Sequence, residues 1–365
     1  MPEPAVAAAS VGPGSILGGK YRLDRVLGSG AMGTVYAAVH EKLGREVAIK
    51  VLNAELGQHQ EAMARFQREA ELVTRLGHPN IVAVYDFGLS PSGAPYFVME
   101  VVTGETLRKR LERGPLSDDE VVSLFAPLLS AVGAAHAAGV VHRDLKPENV
   151  MLVPRGDGES PIPQVKLLDF GVAKMRAEAN STAQPIKSFS DSLKTSAGAM
   201  MGTPAYMAPE QIRSASTVDQ RADIYAIGII LFEALTGERP FQASSIADLM
   251  AAHLFAQPER PSVVSTRRKV PPRTANARLL DQVVLRMLAK EPSKRFADCA
   301  EVRHALDKAW GVPGAFAEGP VSVKQQVPTK SRRWILAAGL SATAGLVGAG
   351  LWYWQRQDSA VDASP

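Results

Sequence analysis

The chain has 365 residues, 46% of them hydrophobic, which is enough to bury a substantial core in two lobes or domains. A formal charge of only +4, with no long basic run in the soluble part, points away from nucleic acid. The single cysteine, Cys299, excludes an internal disulfide and a cysteine-built zinc site, and reads as a free buried thiol.

In chain order, residues 1–20 are rich in Ala, Pro, Gly and Ser and lack the basic start and apolar core of a signal peptide. They read as a flexible leader. Residues 21–53 alternate as strands, interrupted by a glycine-rich turn. Residues 59–76 then form an amphipathic helix, with Phe66, Ala70, Val73 and Leu76 at helical spacing. Strands return around 81–88 and 96–101, giving a small, mostly antiparallel sheet with one helix.

After Thr103 helix dominates. A long helix over 117–138 starts at the cap residue Ser117, and Asp118, Asp119 and Glu120 suit its first turn. The segment Asp223–Leu235 is nearly all apolar and reads as a buried helix, and helical patterning recurs over 244–256, 277–290 and 298–310. A linker over 311–333 follows.

From Trp334 to Trp354 no charge interrupts 21 residues, long enough to span a hydrocarbon core of about 30 Å. Tryptophans stand at both ends. Lys330, Arg332 and Arg333 lie on the amino-terminal side, which puts the larger part of the chain in the cytoplasm and 355–365 outside as a short tail. The expectation is a single-pass anchor in the cell membrane. Ala337, Ser341, Gly345 and Ala349 recur every four residues, a spacing that can bring two such helices together as a homodimer.

The chemistry is concentrated in His142-Arg143-Asp144-Leu145-Lys146-Pro147-Glu148-Asn149, followed by Asp169-Phe170-Gly171. Asp144 can accept a hydroxyl proton, while Asn149 and Asp169 can each offer oxygen to Mg²⁺, a hard cation that neutralises charge on ATP phosphates. Upstream, Leu27-Gly28-Ser29-Gly30-Ala31-Met32-Gly33-Thr34-Val35 reads GxGxxGxV. Its glycines let backbone amides approach phosphates. Strand patterns lie on both sides and no helix begins at the third glycine, which argues against a dinucleotide fold. Lys50 closes the strand pattern Val47-Ala48-Ile49-Lys50.

With these motifs in this order, residues 21–310 resemble a bacterial Hanks-type, eukaryotic-like serine/threonine protein kinase. The resemblance implies an α+β, bilobal kinase fold, with a β-rich N-lobe over about 21–102 and a mostly helical C-lobe over about 103–310. It implies ATP and Mg²⁺ as cofactors, with Mn²⁺ able to replace the latter, and protein Ser/Thr hydroxyls as acceptors. Lys50 would hold the α- and β-phosphates and pair with Glu69. Lys146 would contact the γ-phosphate, and Asp144 would serve as base. Leu27, Val35, Ala48 and Met151 would line the adenine slot, with Met99 as gatekeeper and Glu100–Val102 as hinge. Val73, Val84, His142 and Phe170 would stack as the apolar column of the active arrangement.

The resemblance extends to the structural residues. Gly202-Thr203-Pro204 to Ala208-Pro209-Glu210 matches the substrate-side loop, and Glu210 would find its buried partner in Arg295, because an unpaired buried carboxylate is costly. Asp223 would brace the catalytic loop. Arg143 before the catalytic Asp implies autophosphorylation of the activation segment, with Thr195 and Ser196 as candidate sites. That segment departs from the family by its length, 41 positions from Asp169 to Glu210, with surplus around 176–192, and a second insert over 154–163 reads as a hairpin loop. A nucleotide-binding pseudokinase scaffold is the rival reading.

Overall fold

Alternating strands in the first third of the chain close into one antiparallel sheet of six, in the computed structural model that describes residues 11–30, 33–52, 70–154, 163–169, 204–213 and 218–317. The strands are β1 (Ile16–Leu17), β2 (Tyr21–Gly30), β3 (Gly33–His40), β4 (Arg45–Leu52), β5 (Val84–Leu89) and β6 (Pro95–Met99), in spatial order β1-β2-β3-β4-β6-β5. Every residue of β4 from Val47 to Leu52 is buried, which explains why it reads as a continuous apolar run around Lys50. The glycine-rich turn is the β2–β3 hairpin, closed by the Gly30–Gly33 pair. Gly33 has φ of 143°, and a Cβ there would lie 2.1 Å from the Val51 carbonyl oxygen, so no other residue fits.

Two expected boundaries move. The flexible leader does not extend to residue 20: Ile16–Leu17 pairs with β2, Leu17 is fully buried, and the Gly14 N–H donates to the Leu23 carbonyl at 2.7 Å. One apolar side chain in a Gly/Ser-rich stretch gives no periodicity, yet it seals the sheet's open end. The linker likewise does not begin at 311. Phe316 is fully buried against Trp310, and its N–H donates to Asp307 Oδ1 at 2.8 Å.

Beyond the sheet come helices α1 (Leu107–Leu111), α2 (Asp118–Ala137), α3 (Pro209–Arg213), α4 (Arg221–Thr236), α5 (Ile246–Phe255), α6 (Pro261–Arg267), α7 (Ala277–Met287) and α8 (Cys299–Trp310). Before them, 70–74 is helical, the described end of the amphipathic helix expected over 59–76. The Ser117 cap forms as expected: Ser117 Oγ accepts from the Glu120 N–H and the Glu120 carboxylate accepts from the Ser117 N–H at 2.9 Å. Helix α4 is buried from Ala222 to Thr236, so it is the post around which the larger core packs. Cys299 is a free, buried thiol.

A second sheet was not expected in this half. Strands β7 (Glu105–Thr106), β8 (Val150–Val153) and β9 (Gln164–Leu167) pair antiparallel, and the 154–163 insert connects β8 to β9. Helices α1, α3 and α6 also escaped the periodicity reading, being five to seven residues long. Pro209 and Pro261 lead α3 and α6, and the Thr106 hydroxyl caps α1 by accepting from the Lys109 N–H at 3.3 Å.

On the buried face of α5, His253 is wholly enclosed, with the Tyr225 hydroxyl 3.0 Å from Nδ1. Burial, with the Lys290 and Arg239 charges, pushes its pKa down to about 4 from 6.5. The unfolded imidazole therefore takes a proton that the folded one refuses. Stability is complete above about pH 6.5 and falls as pH drops toward about 4. Urea denaturation at pH 7 and pH 5 is expected to show a greater loss for the wild type than for His253→Gln. Equal losses would remove His253 from the acid response.

The span expected over 334–354 lies outside the described residues.

Candidate active site

The catalytic loop is held from beneath by Asp223, the third residue of α4. Its Oδ2 accepts from the His142 N–H and its Oδ1 from the Arg143 N–H, each at 2.8 Å, and it is 1% exposed. Arg143 adopts φ of 64°, a left-handed conformation costing a non-glycine residue about 1 kcal/mol, and the two Asp223 bonds bracket it. His136 on α2 completes the brace, with Nε2 2.7 Å from Asp223 Oδ2. Sequence reasoning missed His136, whose lone place on an apolar helix carried no distinguishing signal.

The loop then presents its functional groups together. Lys146 Nζ lies 2.7 Å from Asp144 Oδ2. Asn149 is buried, and its Nδ2 donates to the Asp144 carbonyl at 2.8 Å, which turns Oδ1 away as an acceptor. His142 is buried, accepting the Asp144 N–H on Nδ1 and placing Nε2 2.8 Å from the Leu168 carbonyl, so the second nitrogen is the protonated one. The Leu168 N–H in turn donates to the Asn149 carbonyl at 2.8 Å, which sets the two metal-ligand candidates side by side in the fold.

Asp169, with φ of 60°, pairs through Oδ2 with Lys50 Nζ at 2.7 Å. Lys50 is 6% exposed, so this charge is committed to the site. Glu69, its expected partner, lies outside the described residues, as do Ala31, Met32, Phe170, Thr195 and Ser196. An oxygen pair of one amide and one carboxylate fits Mg²⁺, which keeps waters and phosphate oxygens for its remaining positions.

The residues expected to line the adenine slot lie on strands β2, β3, β4, β6 and β8. Met99 pairs across the sheet with Ala48 on one side and Val84 on the other. Behind Met99 is a cavity of about 30 Å³ lined by Lys50, Val73, Val84, Phe97 and Asp169 among others, so the column members Val73 and Val84 meet there. Gly28, Ser29, Gly30, Thr34, Val35 and Leu27 belong to the β2–β3 hairpin, and Met151 to β8. At the hinge the Glu100 N–H donates to the Ala83 carbonyl at 3.0 Å. Its carboxylate accepts from the Ala83 N–H at 3.0 Å and from Lys166 Nζ at 2.6 Å. Lys166 of β9, three residues before Asp169, thus ties Glu100 of the expected hinge to the strand that leads into Asp169.

On the substrate side, Glu210 and Arg295 form the expected pair, bidentate at 2.6 and 2.8 Å. The remaining Arg295 donors reach the Ala289, Arg221 and Lys290 carbonyls, so all five N–H groups are used.

Residues 21–310 match the family model for the protein kinase domain. The chain is 42% identical over 291 residues to serine/threonine-protein kinase Pkn1 of Myxococcus xanthus, covering 80% of this chain and 38% of that one. Against serine/threonine-protein kinase PknB of Mycobacterium tuberculosis it is 37% identical over 299 residues, covering 80% and 43%. The crystal structure of the M. tuberculosis PknI kinase domain superposes with a TM-score of 0.61 at 29% identity, covering 83% of this chain and 100% of that domain. The chain spans about two fifths to half the length of the curated relatives it matches.

Proposed function

Because this chain belongs to the protein kinase domain family, we propose that it transfers the γ-phosphoryl of Mg·ATP to Ser and Thr hydroxyls of proteins. The observation that carries the reading is the joint placement of Asp144, Lys146, Asn149, Lys50 and Asp169 through the Asp144–Asn149 and Lys50–Asp169 bonds. A pseudokinase scaffold has no need of them all. When bound, Mg²⁺ supplies charge neutralisation on the phosphates. Asp144 orients the acceptor hydroxyl and takes its proton. Lys146, already against Asp144, brings a positive charge to the transferring phosphoryl, and Lys50 can exchange Asp169 for a phosphate.

The same reading includes autophosphorylation at Thr195 or Ser196. Supporting it, the Arg143 Nε is enclosed and has no hydrogen-bond partner among the described residues, and a phosphate oxygen would satisfy it. Purified protein incubated with Mg·ATP and a generic protein acceptor is expected to incorporate phosphate, while Lys50→Met does not. Equal incorporation by both proteins would favour the scaffold.

The uncharged run 334–354, preceded by Lys330, Arg332 and Arg333, supports a single-pass anchor with the kinase domain in the cytoplasm, homodimerising through its small-residue row. The full chain is expected in the membrane fraction, released by detergent but not by high salt. A chain ending at residue 317 is expected in the supernatant, and equal partitioning of the two would overturn the anchor.

A further inference from the structure

His253, in the last turn of α5, is an enclosed polar group that the reaction above does not use. The Phe241 ring meets its imidazole edge-on at 5.0 Å, and the Tyr225 ring is tilted against it at 5.9 Å. Lys290 Nζ closes the helix end by donating to the Ala252 and His253 carbonyls at 3.1 and 2.7 Å. Helix α5 also packs against the Pro204–Tyr206 turn, where the Ala205 carbonyl faces the imidazole.

One ring nitrogen is occupied and the other is not. The buried Tyr225 hydroxyl, 3.0 Å from Nδ1, has no other acceptor among the described residues, so it donates there. The imidazole is neutral at pH 7, which leaves its single proton on Nε2. Nε2 is enclosed, yet it closes no hydrogen bond among the described residues. A buried N–H without an acceptor is costly, and the Ala205 carbonyl is the backbone acceptor turned toward this ring. Ala205 follows Gly202-Thr203-Pro204 and is 3% exposed, so the spare donor is aimed at the substrate-side loop. The far end of that loop is fixed by the Arg295–Glu210 fork, and the Arg295 guanidinium lies 4.8 Å from the Tyr225 ring. Tyr225 thus stands between the loop's fixed end and the unused N–H.

We propose that His253 is a positioning residue for the protein acceptor: docking of the acceptor moves the Pro204–Tyr206 turn toward α5, and Nε2–H then donates to the Ala205 carbonyl and holds the turn there. The inference rests on the protein kinase reading for its acceptor, but the unused donor does not. The bond satisfies an N–H that is otherwise stranded, so it favours the arrangement in which the acceptor is bound.

The test uses the full chain and, as acceptor, a peptide of its residues 190–200, which carries Thr195 and Ser196. His253→Leu is expected to raise the KM for this peptide about tenfold, with kcat and the KM for ATP unchanged. His253→Gln, whose amide can place an N–H where Nε2 stands, should restore most of the affinity. An unchanged peptide KM in His253→Leu, or a rise that His253→Gln shares in full, would overturn the latch. A loss spread over kcat and the ATP KM would do the same, because that is what a merely structural role gives. If His253→Leu folds poorly, the bond is read directly. In Asp144→Asn protein carrying isotope-labelled histidine, adding the peptide should move the His253 Nε2–H proton resonance downfield, and an unmoved resonance overturns the proposal. A moved resonance in a protein whose wild type phosphorylates no acceptor would sink the kinase reading and leave the latch standing.

Discussion

Asp144→Asn is expected to lower kcat by about 10²–10⁴-fold while leaving folding and nucleotide binding intact. The loop's scaffold bonds do not use the Asp144 carboxylate as their anchor. Asp223 holds the His142 and Arg143 N–H groups, and Asn149 Nδ2 grips the Asp144 carbonyl at 2.8 Å. An amide therefore fits the same place but cannot take the acceptor proton, and the Lys146 ammonium loses its anionic partner. A steady-state assay gives kcat, and titration with a fluorescent ATP analogue gives binding. Retention of more than a tenth of wild-type kcat would remove Asp144 from the role of base.

Arg295→Ala is expected to destabilise the fold by about 3–5 kcal/mol, the range for breaking a buried ion pair from one side. The Arg295 side chain is 0% exposed and Glu210 only 11%, and loss of the guanidinium also strands the Ala289, Arg221 and Lys290 carbonyls. Glu210→Ala alone leaves the opposite charge buried. The double change Arg295→Met with Glu210→Met removes both charges and should recover part of the loss, so the two effects are non-additive. Denaturant unfolding reads all three variants. A loss below about 1 kcal/mol for Arg295→Ala would show that the pair does not hold the substrate-side loop to the helices.

The motif residues were legible because phosphoryl transfer constrains many polar positions in a fixed order, and their local spacing is set by one loop. The structure brings Asp144, Lys146 and Asn149 together within six residues of chain. The Ser117 cap was equally local, a hydroxyl three residues before a glutamate. What stayed hidden is long-range. His136 meets Asp223 across 87 positions, Lys166 meets Glu100 across 66, and Arg108 meets Glu233 across 125. Each is a single charged or polar residue whose neighbours show no periodicity to mark it, so its partner exists only once the chain has folded. Leu17 failed for the same reason, as one buried side chain in a turn-rich stretch.

The Arg108 cluster belongs with these hidden pairs. It joins the helix after the hinge, the catalytic loop, the end of the substrate-side loop and the central helix α4 through one guanidinium.

Phosphoamino-acid analysis of the protein and an acceptor after incubation with γ-labelled ATP and Mg²⁺ tests the central claim most directly. The account predicts label on phosphoserine and phosphothreonine with the wild type and none above background with Asp144→Asn. Label confined to phosphotyrosine, or equal label from the two proteins, would contradict it.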